Sequence, residues 1–278
     1  FRRGLQERGY VEGRTIVVDY LFGEERLDRL PALVAQAVSS GADILVSAGP
    51  SVTRAARAAT ATVPIVMAFD PDPVGAGFVA SLSKPGGNVT GMSSVGAEMG
   101  SKQLELLKQV LPQLKRAVVV GNSAEPGNAL ATGALAEAAP RLGVELAIVD
   151  VRAAEDIAAA FGQAAKSGAQ AVLVLSSPIV TFHARQFAEH AMKLRLPAVF
   201  PYVDVVEAGG LMHYGVSMRD LFRRAAGYVD RILRGAKPAD LPVEQPSQFE
   251  LVVNRKAARQ MGIEVPATVL ARADRVID

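Results

Sequence analysis

The side chains with binding chemistry in this sequence gather where apolar runs stop. Gly49, Ser51 and Thr53 follow the run 44–48, and Asp72 lies in Asp70-Pro-Asp-Pro73 after 63–69. Asn122, Ser123 and Asn128 fill the polar loop 121–128 after the run 116–120. Ser176 and Ser177 follow 171–175, and Tyr202 and Asp204 follow 197–200. Hydroxyls, amides and single carboxylates in such places hydrogen-bond a polar ligand. A helix starting just after the turn adds unpaired backbone N–H groups and the positive end of a dipole. These residues form the candidate ligand-binding set. Helix capping is the competing reading for Ser51, Thr53 and Asp204, and turn bracing for Asp72.

The chemistry absent is equally informative. There is no cysteine, so thiolate metal sites, disulfides and cysteine nucleophiles are excluded. His183, His190 and His213 do not stand at metal-ligand spacing with acidic partners. Gly49-Pro-Ser-Val-Thr53 lacks the lysine of a phosphate-binding loop, and no Gly-x-Gly-x-x-Gly follows a strand. No catalytic residue, metal or cofactor is expected. The net charge of +2, with arginines scattered, gives no footprint for nucleic acid. Half of the 278 residues are apolar, enough for a sizeable core. No apolar run approaches the roughly 20 residues that span a bilayer.

Strands and helices must position these loops. Strands are expected at 15–20, 44–47, 63–69, 89–93, 116–120, 145–151, 171–175, 197–200, 211–216 and 249–253. Helices are expected at 25–40, 51–59, 75–82, 98–111, from the end of the 121–128 loop to about 142, 154–167, from the opening 176–181 to 194, 203–208, 220–234 and 255–261, with a remnant at 1–9. Such alternation means a doubly wound, parallel α/β architecture.

The chain also repeats itself. Ser40-Gly-Ala-Asp-Ile-Leu-Val-Ser-Ala-Gly-Pro-Ser-Val-Thr53 parallels Ser167-Gly-Ala-Gln-Ala-Val-Leu-Val-Leu-Ser-Ser-Pro-Ile-Val-Thr181, and each leads to an x-Pro strand, at Val63-Pro64 and Leu196-Pro197. A period of about 130 residues is the size of a domain, not of a solenoid repeat. Two similar lobes follow, whose strand-end loops would line a shared cleft. The second half has a strand and a polar loop, 116–128, ahead of its first helix, whereas nothing precedes Phe1. A first strand of the first lobe is therefore expected to be missing upstream.

The run Phe69-Asp-Pro-Asp-Pro-Val-Gly-Ala-Gly-Phe-Val-Ala-Ser-Leu-Ser-Lys-Pro-Gly-Gly-Asn-Val-Thr-Gly91 resembles the signature of ABC-transporter substrate-binding proteins related to the tryptophan-binding TrpX group. Arg8-Gly-Tyr-Val-Glu-Gly13, Gly210-Leu-Met-His-Tyr-Gly215 and Arg234-Gly-Ala-Lys-Pro-Ala-Asp-Leu-Pro-Val-Glu244 carry the same resemblance. It implies a type I periplasmic-binding fold: two similar doubly wound lobes joined by a hinge, closing on a small ligand for delivery to a membrane permease. The implied lobes are 1–94 with 216–241, and 95–215 with 242–278, hinged near 93–97, 213–217 and 241–246. The resemblance also implies a removed export signal, a periplasmic or lipid-anchored location and, as a working expectation, a monomer. In the family the loops matching 49–53, 72–73, 122–128, 176–177 and 202–204 surround the ligand. Tyr202 stands where amino-acid-binding members carry an acid, so an aromatic or other carboxylate is expected, with an amino acid as the alternative. Two further classes stay open: the ligand-sensing domain of a transcription regulator, and an α/β enzyme acting on a small carboxylate.

Overall fold

The computed structural model describes residues 1–24, 26–94 and 96–278. Glu25, first residue of the expected helix 25–40, and Val95, within the expected crossover 93–97 and first residue of the expected second lobe, lie outside the described residues.

The chain opens with α1 (Arg2–Gln6), α2 (Leu30–Ser39), β1 (Leu45–Ala48), α3 (Pro50–Ala59), β2 (Ile65–Phe69) and β3 (Val89–Gly91). It continues through α4 (Gly96–Val110), β4 (Arg116–Gly121), α5 (Pro126–Ala138), β5 (Glu145–Asp150), α6 (Asp156–Lys166) and β6 (Ala171–Val174). Then come α7 (Pro178–Phe182), α8 (Ala184–Lys193), β7 (Ala198–Phe200), α9 (Val203–Glu207), β8 (Met212–Val216) and α10 (Met218–Leu233). The last elements are β9 (Phe249–Asn254), α11 (Arg255–Met261), α12 (Ala267–Leu270) and β10 (Arg275–Ile277).

Two compact units result, Phe1–Val95 with Val216–Gln248, and Gly96–Gly215 with Phe249–Asp278. The first holds a three-stranded sheet in the order β1-β2-β3; the second holds a seven-stranded sheet in the order β10-β9-β8-β7-β6-β4-β5. The paired strands whose register is defined all run parallel. Parallel strands need helical crossovers that cover both faces, so their residues are apolar without alternation. In the second unit successive residues of one strand divide between two cores. Val119 and Leu173 pack with α4 and α5 on one face, while Val118, Val120, Val172 and Val174 pack with α6 and α8 on the other. In the first unit Val66 and Ala68 of β2 face α1 and α10, and Ile65 and Met67 face α2 and α3.

The internal repeat extends to the backbone. The nitrogen of Leu45 donates to Pro64 O at 2.9 Å, and that of Val172 donates to Pro197 O at 2.8 Å. Each proline lacks an N–H but its carbonyl opens the ladder between neighbouring strands, so the x-Pro step marks the same register in both units. α3 and α7 likewise each begin with proline at their first position.

Several expectations are corrected. Residues 15–20 form no strand; only the bridge Glu12–Ile16 is made, and Val17 is 78% exposed. The matching strand β5 pairs with β4 alone, and among the described residues the first unit has no counterpart of β4. A strand without a partner has no ladder to hold it. Residues 75–82 form successive turns instead of a helix, because Pro73, Gly75 and Gly77, the last at φ +71°, interrupt the repeat. The single long helix expected to open within 176–181 and run to 194 is two helices, α7 and α8, meeting at His183. The segment 242–248, expected in the second lobe, belongs to the first unit. There Val243 is buried beside Val79 and Val89, and Glu244 accepts from Ser93 N at 2.8 Å and pairs with Arg224 and Arg231. The sequence pattern shows neither the helix α12 nor the strand β10, because elements of four and three residues carry too little periodicity to read.

Gly91 tests the first unit's sheet. It stands opposite Met67 at φ +131°, and a Cβ there would lie 2.2 Å from the Met67 carbonyl oxygen. Gly91→Ala is expected to lower stability in urea by about 2–3 kcal/mol, since neither the conformation nor the space accepts a methyl group. Gly133→Ala, inside α5 with open space around it, should instead raise stability by up to about 1 kcal/mol.

Candidate functional site

In the second unit the loops after β4, β6 and β7 lie side by side, because those strands are neighbours in the order β7-β6-β4. One side chain ties two of them together. Asn128, in the first turn of α5, accepts from Asn122 N at 2.9 Å and donates from Nδ2 to Ser176 O at 2.9 Å. Gly121 permits this closeness, since a Cβ there would come within 2.9 Å of Asn128 Oδ1. Asn122 closes its own turn by accepting from Ala124 N at 2.9 Å, and is buried. These two asparagines shape the loop. Ser123 faces away from them, bound through N and Oγ to Asp150 and reached by Arg152. Those bonds, with the Arg152 guanidinium, hold the Asp150 carboxyl below the usual range against the opposing effect of burial.

The next loops meet through hydroxyls. Ser176 is exposed and its Oγ lies 2.5 Å from the Tyr202 Oη, the ring of Tyr202 being half-buried. Burial raises the Tyr202 phenol above its usual pKa, and the nearby Glu125 carboxylate raises it further, against hydrogen bonds from Ser176 and Thr181. The phenol is therefore a neutral donor and acceptor at physiological pH. Tyr202 is also the N-cap of α9, which leaves Asp204 exposed inside the first turn and not in the capping position. Ser177 is buried at the N-cap of α7, with no side-chain capping bond.

In the first unit the turn between β1 and α3 is capped by Gly49 at φ +100°, a left-handed conformation suited to glycine. Ser51 is half-buried in the first turn of α3. Thr53 is turned inward: fully buried, it lies 2.8 Å from Ser47 Oγ and donates to Gly49 O at 3.1 Å. Its hydroxyl closes the turn and is not open to a ligand, which corrects the expectation. Asp72 braces its loop by accepting from Gly75 N at 2.8 Å, and its own N donates to Asp70 Oδ1 at 3.0 Å.

Two acids outside the sequence-derived set stand out. Asp70 is fully buried and Glu125 is 7% exposed, and each has one carboxylate oxygen, Asp70 Oδ2 and Glu125 Oε1, with no hydrogen-bond partner. Burial pushes Asp70 up to about 6, against the Asp72 N–H bond. Burial is also the cause that raises Glu125. Sequence offered a faint signal, a carboxylate directly after an all-apolar strand at Asp70 and one in a loop of small polar residues at Glu125. Burial itself is a tertiary property.

Two of the histidines take structural places. His213 is buried with Nδ1 3.0 Å from Phe200 O, and burial lowers its pKa; His190 stacks against Phe161 at 6.3 Å. No metal-binding cluster occurs among the described residues, and no helix there is long and apolar enough to cross a membrane.

The family model described as ABC transporter substrate binding protein matches residues 1–277. A tyrosine-binding protein of Clostridioides difficile is 25% identical over 267 residues, 95% of this chain and 76% of the relative. A conserved domain protein of Vibrio cholerae is 30% identical, covering 99% of this chain and 92% of that one, with a TM-score of 0.93. The ABC domain of Streptococcus pneumoniae in complex with L-Trp is 28% identical with the same coverage and a TM-score of 0.92. These likenesses agree with a type I periplasmic-binding fold.

Asp70 carries a measurable pH signature. Its folded value, about 6, lies above the ordinary 3.8, so between those pH values the folded chain keeps a proton that the unfolded chain has lost. Stability therefore falls as pH rises through this window; the cost is absent below it and complete above, on the order of 3 kcal/mol. Asp70→Asn keeps an acceptor for Asp72 N and removes the charge. Its melting temperature should exceed that of the parent by several degrees at pH 7.5 and match it at pH 4, as read by calorimetry.

Proposed function

The chain belongs to the family of ABC transporter substrate-binding proteins, and from that premise we propose that it is the solute receptor of an ABC importer, trapping a small aromatic ligand that bears a carboxylate, amino acids included. Trapping would proceed by closure of the two units on the ligand, with contacts formed only in the closed state supplying the differential affinity that shifts the population. A membrane permease would read that closed form. The working protein would be monomeric and lie outside the cytoplasmic membrane, free or lipid-anchored. Members of the family are substrate-binding proteins and not enzymes.

One observation carries this reading. The loops ending β4, β6 and β7 bring Ser176 and Tyr202 into hydroxyl contact beside the asparagine bracket, so a stacking ring and neutral hydrogen-bonding groups converge at one edge of a sheet. A phenol ring stacks on aromatic ligands and its hydroxyl orients their polar groups. The tyrosine-binding relative and the tryptophan-bound structure support an aromatic ligand. In the first unit the turn Gly49–Ser51 would present unpaired N–H groups at the start of α3 to the carboxylate.

Titration calorimetry with L-tyrosine, L-tryptophan and benzoate tests the proposal. At least one should bind, and at about 100 times its dissociation constant it should stabilise the chain by roughly 2.7 kcal/mol in a thermal melt. Tyr202→Ala should weaken binding by about tenfold or more, from the lost stacking and hydrogen bond. Small-angle scattering should record a smaller radius of gyration with ligand. Binding unaffected by Tyr202→Ala would place the ligand elsewhere.

A further inference from the structure

Glu125 has no evident structural task. It stands at the N-cap of α5, where an acidic side chain ordinarily accepts from the first-turn N–H groups, yet it makes no such bond. The carboxylate is instead buried, 7% exposed, with Oε1 unpartnered. Among the described residues no lysine, arginine or histidine bonds to it, and burial is the cause that raises its pKa. Leaving a charged oxygen buried and unpaired costs several kcal/mol unless something supplies a counter-charge or hydrogen bonds. The groups that frame it are neutral. Asn122 and Asn128 flank it in the same loop, Asn128 with Oδ1 and Nδ2 both on backbone partners and Asn122 with Oδ1 on Ala124 N, and the charge of Glu125 acts on the Tyr202 phenol. A buried carboxylate with an unpartnered oxygen, in a loop next to the loops that carry Ser176 and Tyr202, is suited to an organic cation, which it holds by charge-assisted hydrogen bonds.

We propose that Glu125 receives the protonated amino group of the ligand, which makes the ligand an α-amino acid and not a simple aromatic acid. This rests on the receptor reading above.

The test compares each amino acid with its des-amino analogue, which keeps ring and carboxylate. Calorimetry on the full chain would use L-tyrosine against 3-(4-hydroxyphenyl)propionate, and L-tryptophan against indole-3-propionate. The parent chain should prefer the amino acid by about a hundredfold or more. In Glu125→Gln that preference should collapse to less than about tenfold, with the affinity for the analogue unchanged or improved. Loss of fold or of loop order would weaken both ligands together, so the ratio isolates the ammonium contact. Equal binding of amino acid and analogue by the parent overturns this inference and leaves the receptor reading standing. So does a preference that survives in Glu125→Gln. Failure of all four compounds to bind overturns both.

Discussion

A parallel sheet buried on both faces constrains everything else in each unit. Its strands cannot be joined by hairpins, so every connection leaves at one edge and returns through a helix at the other. The carboxyl ends of β4, β6 and β7 are therefore neighbours, whatever their loops contain. The ladder makes adjacency of 121–128, 176–177 and 201–202 obligatory, although these segments lie up to about 80 residues apart in the chain. The alternating division of Val118, Val119 and Val120 between two cores is the same constraint seen from the side. Each residue has a helix waiting for it.

Upon that frame the polar loops divide into those that build and those that are left open. Asn122, Asn128, Asp72 and Thr53 spend their hydrogen bonds on neighbouring backbone or on Ser47, giving the loops fixed shapes. Ser176 and Tyr202 are bound chiefly to each other at an accessible edge. Asp70 and Glu125 are the exceptions, since each buries a carboxylate oxygen that the chain leaves unsatisfied. A protein keeps such a group at a cost to stability, and sites of that kind are where function and folding compete. The surroundings of the two differ. Asp70 is sealed beneath its own turn with Arg54 and Asp72 acting on it, whereas for Glu125 burial is the cause that acts and no charged partner stands among the described residues.

The two units share a plan and depart from it in an instructive place. The Pro64 and Pro197 carbonyls set the same register, and α3 and α7 start with the same proline step. Yet residues 15–20, β-branched and apolar enough to read as a strand, remain outside any ladder, while the equivalent β5 is paired along its length. Strand propensity describes a fit to a pleated surface, and without a neighbouring strand there is no surface to fit.

The sequence by itself determined the alternation of strands and helices, the internal repeat, the buried strands and the loops in which binding chemistry lies. These are local or periodic properties, written in apolar runs, prolines and glycines within a few residues of each other. It also carried the family, through the blocks around Phe69–Gly91 and Arg234–Glu244. Tertiary structure alone decided which side chains of those loops are spent and which are open. Thr53 reads as a ligand contact or a helix cap until Ser47 is found against it, and nothing local in the sequence marks Glu125 as buried. Burial and hydrogen-bond satisfaction depend on residues distant in the chain, and no local pattern encodes them. The same holds for 242–248, whose place in the first unit rests on Glu244 meeting Arg224 and Arg231 and on Val243 entering a core built from residues more than a hundred positions away.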